Sequence, residues 1–308
     1  MTFPSDMSGD ELQFVDWLTE QAAPHPSVTL GVGDDMALVD LGSEPALLSS
    51  DMLLDGVHFD TKRHTLRDIG RKAIACALSD CAAMAVNPAA ITVSLALPAE
   101  MPLDNVKSLY AGMNAIAAEF DAPIVGGDTT RWDQPLVIDV TILAHPHPGV
   151  QPITRSGAKP GDRLYVTGPL GGSLLGRHLS FTPRLREARV LALALGDRLH
   201  AMLDISDGLS LDLWRLCRAS GVGAMLDETQ LDEIVSDDAQ LAAQIDKRSG
   251  LEHALGDGED FELLFAADGV IKAADVCIFP VGKITEADLT LRDKNGNISP
   301  LVPRGFQH

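Results

Sequence analysis

Basic residues, aromatic residues and cysteines are all scarce in this chain of 308 residues. Lys and Arg number 24 against 44 Asp and Glu, which gives a formal net charge of −20. A surface this acidic repels nucleic acid and anionic membrane, so neither is expected as a partner. The four cysteines form no C-x-x-C pair, and no run approaches the ~18 apolar residues that span a membrane. Residues 1–6 lack a basic, apolar leader, and together these absences predict a reduced, cytoplasmic, soluble protein.

The sequence also lacks the common signatures of phosphate-handling and metal-dependent enzymes. It contains no Gly-x-x-x-x-Gly-Lys-Ser/Thr loop, no Gly-x-Gly-x-x-Gly after a strand, and neither His-Arg-Asp nor Asp-Phe-Gly. It has no His-Glu-x-x-His segment and no EF-hand loop. P-loop enzymes and the other classes that these motifs mark are therefore excluded.

What the chain does have is a series of short motifs in which an acid stands beside glycine or serine. The motifs are Gly31-Val32-Gly33-Asp34-Asp35, Ser49-Ser50-Asp51, Leu78-Ser79-Asp80, Gly126-Gly127-Asp128-Thr129-Thr130, Asp204-Ile205-Ser206-Asp207-Gly208 and Gly258-Glu259-Asp260. As a set they predict that the fold collects carboxylates and bare backbone amides at one place. Hard cations take oxygen ligands and bridge carboxylate to phosphate. The pattern therefore predicts a polyphosphate held through several Mg²⁺ ions, and hence phosphoryl transfer.

Hydrophobic spacing predicts two mixed halves, an α/β (α+β) fold, joined by a proline-rich linker. Helices are predicted over 9–21, 66–86, 103–120, 184–200 and 208–220. Strands are predicted over 46–50, 90–97, 136–144, 162–167, 202–205, 262–265 and 277–281, with a late hairpin turn at Asn295-Gly296. The segment 145–152 carries three prolines and a glycine and is the best linker candidate. We therefore predict one domain over 1–148 and a second over 149–308.

Asp80 is the most informative single residue. In the predicted helix 66–86, apolar residues from Ile69 onward lead to it at spacings of 4, 3 and 4, which places it on the apolar stripe. An acid there is costly unless it pairs or binds a metal, and the helix dipole disfavours its charge near the C-terminus. The alternative is a salt bridge to Lys72 or Arg71. Lys72 lies two turns away, so metal binding is favoured.

The other acidic motifs are weaker when each is taken alone. Asp34-Asp35 could be an ordinary glycine turn, and Asp128 could cap a following helix. Asp51 ends an apolar strand, where sites in α/β folds often form. Alternation directs Asp204 and Ser206 to one side of another strand end.

Three further residues keep two interpretations. Asp207 could supply a metal ligand or cap the next helix. His58 has no helical partner and by itself reads as an ordinary histidine. Arg155 could form a phosphate fork or be a plain linker arginine.

In order and spacing, the motifs resemble those of bacterial thiamine-monophosphate kinases over nearly the whole chain. The most specific segments are Gly33-Asp34-Asp35, Asp55-Gly56-Val57-His58-Phe59, Leu78-Ser79-Asp80-Cys81-Ala82-Ala83-Met84, Gly126-Gly127-Asp128-Thr129-Thr130, 154–162, 204–209 and 258–263. That family belongs with the ATP-binding superfamily of aminoimidazole ribonucleotide synthetase and selenophosphate synthetase. The resemblance implies two α/β domains, and a homodimer whose N-terminal sheets join into a barrel-like core. It also implies ATP-dependent phosphorylation of thiamine monophosphate to thiamine diphosphate, a step of thiamine diphosphate biosynthesis.

The resemblance also implies a role for individual residues. The implied Mg²⁺ ligands are Asp35, Ser49, Ser50, Asp51, Asp80, Asp128, Asp204 and Asp207. The implied ATP contacts are Gly127, Asp128, Arg155 and Ser206, and the implied contacts to the thiamine phosphate are His58 and Glu259. No catalytic general base is expected, because the acceptor phosphate oxygen is already anionic near neutral pH. The expected chemistry is direct in-line transfer assisted by Mg²⁺.

Two departures from the family pattern bear on the acceptor. Pro303-Arg304-Gly305-Phe306 stands where the family usually has a Trp before a Lys-Gly-aromatic ending, with Phe306 as a partial substitute. The stretch 172–184 is shorter than expected. Both leave acceptor choice open.

The alternative functions are other enzymes of the superfamily and a non-catalytic binder of thiamine phosphates or nucleotides. A selenophosphate synthetase should carry a reactive cysteine near its N-terminal glycine-rich loop, whereas the first cysteine here is Cys76. A hydrogenase-maturation relative should end in a functional cysteine, whereas this chain ends in Gln307-His308. An aminoimidazole ribonucleotide synthetase would use a different acceptor. The full acid set argues against a simple binder, because binding alone seldom needs so many metal ligands.

Overall fold

Two β-sheets built from separate stretches of the chain organise the protein. The computed structural model describes residues 26–31, 33–42, 45–271 and 275–306, so the helix predicted over 9–21 lies outside the described residues. The first sheet has the strand order β1-β2-β3-β6-β4-β5, and the second has the order β13-β12-β9-β11-β7-β10-β8. This is the mixed α/β architecture that the sequence predicts.

The first half contains six strands and two long helices among the described residues. The strands are β1 (Val28–Leu30), β2 (Ala37–Asp40), β3 (Pro45–Leu54), β4 (Val86–Pro98), β5 (Ile124–Trp132) and β6 (Val137–Pro146). The helices are α1 (Leu66–Ala83) and α2 (Leu103–Glu119). Five predicted elements of this half are confirmed to within a few residues, namely the helices 66–86 and 103–120 and the strands 46–50, 90–97 and 136–144.

The second half contains seven strands and five α-helices in the described part of the chain. The strands are β7 (Arg163–Val166), β8 (Leu199–Asp204), β9 (Gly223–Asp227), β10 (Leu263–Ala267), β11 (Phe279–Thr285), β12 (Leu289–Arg292) and β13 (Ile298–Pro300). The helices are α3 (Leu185–Leu195), α4 (Leu209–Ser220), α5 (Glu228–Leu231), α6 (Asp237–Ile245) and α7 (Gly250–Gly256), with 3-10 turns at Ser173–Leu175, Arg177–Leu179, Gly196–Arg198 and Asp232–Ile234. The predicted hairpin turn is confirmed between β12 and β13, where Gly296 has φ +86°.

Helix α1 is the element that both halves share. It begins at Thr65, whose side chain accepts a hydrogen bond from the backbone N–H of Asp68 at 3.2 Å. One part of α1 packs against α2 so closely that a Cβ on Gly70 would lie 2.0 Å from the carbonyl oxygen of Leu109. Its last turn packs on the second half, where Ala82 joins the apolar cluster around Met202. Side chains on α1 can therefore reach any site formed between the two sheets.

Strand β5 corrects one local prediction. One of the two interpretations of Gly126-Gly127-Asp128-Thr129-Thr130, a glycine turn with Asp128 as a helix cap, is wrong, because the segment continues as a parallel strand beside β4. Gly127 makes this pairing possible, because a Cβ there would lie 1.8 Å from the carbonyl oxygen of Val93. Asp128 therefore lies within an edge strand and does not cap a helix.

Three further findings concern the chain as a whole. Among the described strands, the first sheet has β1 and β5 as its edges and does not close into a barrel. The barrel-like dimer core therefore stays a prediction, as do the domain limits. Within the part of the chain that is described, no helix combines the length and apolar character needed to cross a membrane. Among the four cysteines, Cys81 and Cys217 are buried, Cys76 is partly buried and Cys277 is exposed.

Candidate functional site

Three acidic side chains from distant parts of the sequence converge between the two sheets. Asp35 precedes β2, Asp80 lies in the last turn of α1, and Asp204 ends β8. Each offers a carboxylate oxygen, and these oxygens all lie within 4.8 Å of one another. Asp35 and Asp204 are buried and Asp80 is partly buried. The structure thus brings together three of the predicted metal ligands.

The electrostatics of this acidic cluster are unfavourable without a cation. Burial, and then the charge of Asp35, raises the pKa of Asp204 to about 8, although Asp204 accepts a hydrogen bond from the Ser79 hydroxyl at 2.6 Å. Burial and the neighbouring carboxylates of Asp51 and Asp204 raise the pKa of Asp80 well above its usual range. Groups placed so that they repel one another in a cleft commonly mark a functional site.

Asp51 extends the cluster along β3. Burial, and then the charges of Asp139 and Asp35, raises the pKa of Asp51 to about 6. Its Oδ2 atom is buried and has no hydrogen-bond partner among the described residues. A buried carboxylate oxygen without a partner is costly, and a bound cation would satisfy it. The set of hard oxygen donors therefore fits Mg²⁺.

Arg155 closes the cluster from the side of the second half. Its guanidinium donates to both carboxylate oxygens of Asp35, with Nε–Oδ2 at 3.0 Å and Nη2–Oδ1 at 2.8 Å. Its backbone N–H donates to Asp34 at 3.1 Å. Arg155 is thus not a plain linker arginine, and its fork is placed beside the predicted metal ligands.

A cavity of about 470 Å³ contains this cluster. Its lining includes Asp35, Ser49, Asp51, Asp80, Arg155, Asp204, Ser206 and Asp207. Acids dominate this lining, and the two arginines in it, Arg155 and Arg215, each bind a carboxylate. The cavity is suited to a polyanion only when cations accompany that anion.

A second cavity, of about 450 Å³, has a different character. Apolar and aromatic side chains line it together with a few polar groups: Met52, Leu53, Leu54, His58, Glu259, Phe261 and Phe306. The ring of Phe306 lies 6.4 Å from that of His58, measured between centroids. Phe306, which the sequence suggests as a partial substitute for the family's Trp, therefore lines this cavity beside His58.

The two cavities meet along a common wall. Six residues line both of them: Ser50, Asp51, Cys76, Ser206, Asp207 and Phe261. A ligand in the acidic cavity and a ligand in the aromatic cavity would approach each other at this wall. Such an arrangement suits transfer of a group between two bound molecules.

Two predicted metal ligands have other partners in this structure. The Ser50 hydroxyl lies on the opposite face of β3 from Ser49 and Asp51, where it donates to Asp139 at 3.0 Å. Asp207 accepts a hydrogen bond from Arg215. The role of each as a ligand stays a prediction, and for Ser50 it would have to involve the backbone carbonyl.

Gly127 and Asp128 lie apart from both cavities. They belong to edge strand β5, whereas Asp51 lies on β3, with β6 and β4 between them. Neither residue lines the acidic or the aromatic cavity. The single chain therefore does not bring these two predicted ATP contacts to the acidic cluster.

The structure adds residues that sequence reasoning passed over. Cys76 lies on the common wall, and Phe261 stacks on Phe181 with ring centroids 4.1 Å apart. Lys72, considered above only as a partner for Asp80, instead binds Glu259 at 2.6 Å. Cys76 lies four residues from both Lys72 and Asp80 on one helix, and this spacing could have indicated that it faces the same site.

Comparison with known proteins gives a consistent result. Residues 33–145 match the family model for the N-terminal domain of AIR synthase related proteins. The chain is 40% identical over 313 residues to a thiamine-monophosphate kinase of Rhodopirellula baltica, covering 97% of each chain. It matches the crystal structure of a Stenotrophomonas maltophilia thiamine-monophosphate kinase with a TM-score of 0.71 and 28% identity, covering 95% of this chain and 98% of that one. The structure of AaThiL complexed with AMPPCP and TMP shares the fold, with a TM-score of 0.83 at 24% identity, covering 100% of this chain and 99% of that one.

Proposed function

The chain belongs to the thiamine-monophosphate kinase family, and we propose that it transfers the γ-phosphoryl group of ATP to thiamine monophosphate, forming ADP and thiamine diphosphate. The observation that supports this most is the meeting of an acidic cavity and an aromatic cavity at one wall. We place the enzyme in the cytoplasm, because its four cysteines are all free thiols.

The acidic cavity is the donor end of the site. Asp35, Asp51, Asp80 and Asp204 would hold Mg²⁺, and Arg155 stands ready to bind a phosphate oxygen. The chemistry that Mg²⁺ supplies when bound is neutralisation of phosphate oxygens, which lowers the repulsion between donor and acceptor.

The aromatic cavity is the acceptor end. His58, Phe261 and Phe306 offer flat surfaces for the two rings of thiamine, which leaves the phosphate directed at the common wall. Glu259 lies at the same end, as the family pattern implies. Binding both substrates in neighbouring cavities makes the reaction effectively unimolecular, with the reacting atoms held close together. This positioning is a main contribution to catalysis of phosphoryl transfer.

The transfer itself requires no general base. The second pKa of a phosphate monoester is about 6, so the acceptor oxygen carries its charge at neutral pH. A bond forms between this oxygen and the γ-phosphorus while the bond to the β-γ bridging oxygen breaks, and ADP leaves with that electron pair. The Nδ1 atom of His58 already accepts the backbone N–H of Leu54 at 3.1 Å, which agrees with a binding role for this ring. Trapping of a phosphorylated protein intermediate would contradict direct transfer.

The test is to incubate the purified protein with MgATP and thiamine monophosphate and to quantify thiamine diphosphate and ADP. Equal amounts of both products are expected, with none in EDTA or without acceptor. Asp80→Asn should lower turnover by more than about 100-fold, since loss of a group that only supports a metal ligand already costs 10–100-fold. Asp104→Asn is the matched control, because Asp104 forms an exposed pair with Lys107. A protein that binds MgATP but forms no thiamine diphosphate would refute the proposed acceptor.

We also propose that the enzyme works as a homodimer formed through the outer face of the first sheet. Strands β3 and β6 carry apolar residues on this face, among them Leu48, Met52 and Leu143, which are 44%, 58% and 39% exposed. Leu48 and Leu143 are directly paired across the two strands, whereas Ser50, Thr141 and Asp139 separate them from Met52. Exposed apolar side chains grouped on one face are typical of interaction sites. Asp128 lies on the same face, at the register position of Ser94. In such a dimer, Asp128 of one chain would face the partner chain and could contact a nucleotide bound there.

Analytical ultracentrifugation tests the dimer. Leu143→Lys should shift the protein to the monomer, because a charge would be buried in the interface, and Leu143 lines neither cavity. Leu193→Lys serves as the control, because Leu193 is 60% exposed on α3 in the second half. A wild-type protein that sediments as a monomer at micromolar concentration would refute the proposal.

A further inference from the structure

Lys72 is a completely buried lysine in the middle of α1. Its side chain is 0% exposed, and its ammonium group donates to Oε1 of Glu259 at 2.7 Å, to Oε2 at 2.6 Å, and to the backbone carbonyl of His58. A lysine has three N–H donors, and all three are used here. Burying this charge is costly unless it is paired in this manner. An apolar side chain would pack here without that cost, so packing alone does not account for a lysine at this position.

The partners of Lys72 come from opposite halves of the protein. His58 follows β3 of the first sheet, whereas Glu259 lies 187 positions along the chain from Lys72, just before β10. Both partners line the aromatic cavity. Lys72 lies behind the cavity wall and connects the two lining residues, His58 from the first half and Glu259 from the second.

Glu259 is held in an unusual backbone conformation. Its φ is +63°, and Phe261 two residues later has φ +51°, a region that side-chain-bearing residues seldom adopt. The backbone N–H of Glu259 donates to the carbonyl of Ser206 at 2.6 Å, and its own carbonyl accepts from the Ser173 hydroxyl at 2.6 Å. Strain that surrounding contacts maintain is typical of functional loops. The Lys72 ammonium fixes the side chain of the same residue.

The charge of the acceptor end depends on this pair. Asp51, Asp207 and Glu259 are the acids that line the aromatic cavity. The acceptor must bring a phosphate dianion to the same place. Lys72 cancels the charge of Glu259 there, which leaves one fewer negative charge to oppose the phosphate.

We propose that Lys72 is a positioning residue that fixes Glu259 and sets the charge of the acceptor cavity, so that an acceptor carrying a phosphate is accepted. The proposal rests on the proposed function and names a determinant of its acceptor specificity. It predicts that affinity for a phosphorylated acceptor follows the summed charge of the Lys72–Glu259 pair, whereas affinity for nucleotide does not.

The test is calorimetric titration of thiamine monophosphate, of thiamine and of a non-hydrolysable ATP analogue with MgCl₂, into four full-length proteins. The proteins are the wild type, Lys72→Met, Glu259→Gln and the double variant. Lys72→Met should bind thiamine monophosphate at least tenfold more weakly than the wild type, and the double variant should recover at least threefold of that loss. Glu259→Gln should bind it more tightly than the double variant. Thiamine, which is a cation without a phosphate, should bind Lys72→Met no more weakly than it binds the wild type, and the ATP analogue should bind all four proteins equally.

One control variant and two contradicting outcomes complete the test. Lys107→Met removes an exposed lysine from α2 that pairs with Asp104 and should change nothing. Equal losses for thiamine and thiamine monophosphate in Lys72→Met would show a structural role and overturn the inference. If Lys72→Met does not fold, equal binding by Glu259→Gln and the double variant would overturn it instead. Absence of thiamine diphosphate formation by the wild type would refute the proposed function, which is a separate result.

Discussion

Replacing Asp204 by asparagine should stabilise the metal-free protein while removing its response to Mg²⁺. Burial and the charge of Asp35 raise the pKa of Asp204 from 3.8 to about 8. At pH 7 the folded protein therefore keeps this carboxyl protonated, whereas the unfolded chain ionises it. With about 1.4 kcal/mol for each pKa unit, the three units between the unfolded pKa and pH 7 cost the metal-free fold about 4 kcal/mol.

Asparagine removes this cost and keeps the shape of the side chain. Its amide oxygen can still accept the hydrogen bond from Ser79, which Asp204 accepts at 2.6 Å. Burial of the amide costs about 1–2 kcal/mol in turn, so we expect a net stabilisation of about 2 kcal/mol in EDTA. That corresponds to a rise of roughly 4 °C in the melting midpoint. Wild-type protein should instead gain about 2.7 kcal/mol from Mg²⁺ at 100 times its dissociation constant, a gain that Asp204→Asn should lack.

The assay is thermal unfolding of both proteins in EDTA and in MgCl₂, followed by circular dichroism. The order of the two melting midpoints should invert between the two buffers. Glu262→Gln provides a contrast, because Glu262 is buried and accepts hydrogen bonds from Arg184 and Thr167. It should lower the midpoint in both buffers, since breaking a buried pair costs about 3–5 kcal/mol. An Asp204→Asn protein that melts below the wild type in EDTA would refute the reasoning.

Three further predictions concern pH, nucleotide and strand pairing. The pKa values of Asp51 and Asp204 are raised to about 6 and about 8, so the metal-free fold loses stability as pH rises through these values. Binding of Mg²⁺ must release the protons that these carboxyls hold at lower pH. The Mg²⁺-induced rise in melting midpoint should therefore be larger at pH 8.5 than at pH 6. Arg155→Lys should raise the KM for ATP by roughly tenfold and leave that for the acceptor nearly unchanged in steady-state assays, because one ammonium cannot keep both contacts to the predicted metal ligand Asp35 and also reach a phosphate oxygen. Gly127→Ala should destabilise the protein by more than about 3 kcal/mol in urea unfolding, because the added Cβ would overlap the backbone of β4, while Gly126→Ala, with nothing within 4 Å of its Cβ, should cost far less.

The sequence predicted best where a local rule was sufficient. The spacing of apolar residues predicted α1 and placed Asp80 on its inner face, and the structure confirms both the helix and the acidic neighbours of Asp80. Alternation along β3 could also have shown that Ser50 and Asp51 face opposite sides of the sheet. The family resemblance instead implies all three of Ser49, Ser50 and Asp51 as ligands.

The sequence predicted less where the decisive contact is distant. Lys72 was weighed against Asp80 because both lie on one helix, yet its partner Glu259 lies 187 positions away. Gly126 and Gly127 read as a turn, because glycine favours turns in the absence of other information. Their actual role depends on a parallel neighbour, β4, that approaches only after α2 has crossed over. No spacing within the segment encodes that approach.

Helix α1 links these observations into one account of the site. Lys72, Cys76 and Asp80 follow one another at intervals of four residues, so they lie on a similar side of the helix and advance along it. Lys72 binds Glu259 of the aromatic cavity, Cys76 lies on the wall between the cavities, and Asp80 belongs to the acidic cluster. Eight residues of α-helix span about 12 Å, which fixes the separation of the two ends by backbone geometry alone. Because both sheets pack against α1, the walls that complete the acidic and aromatic cavities come together only when the two halves have folded onto the same helix.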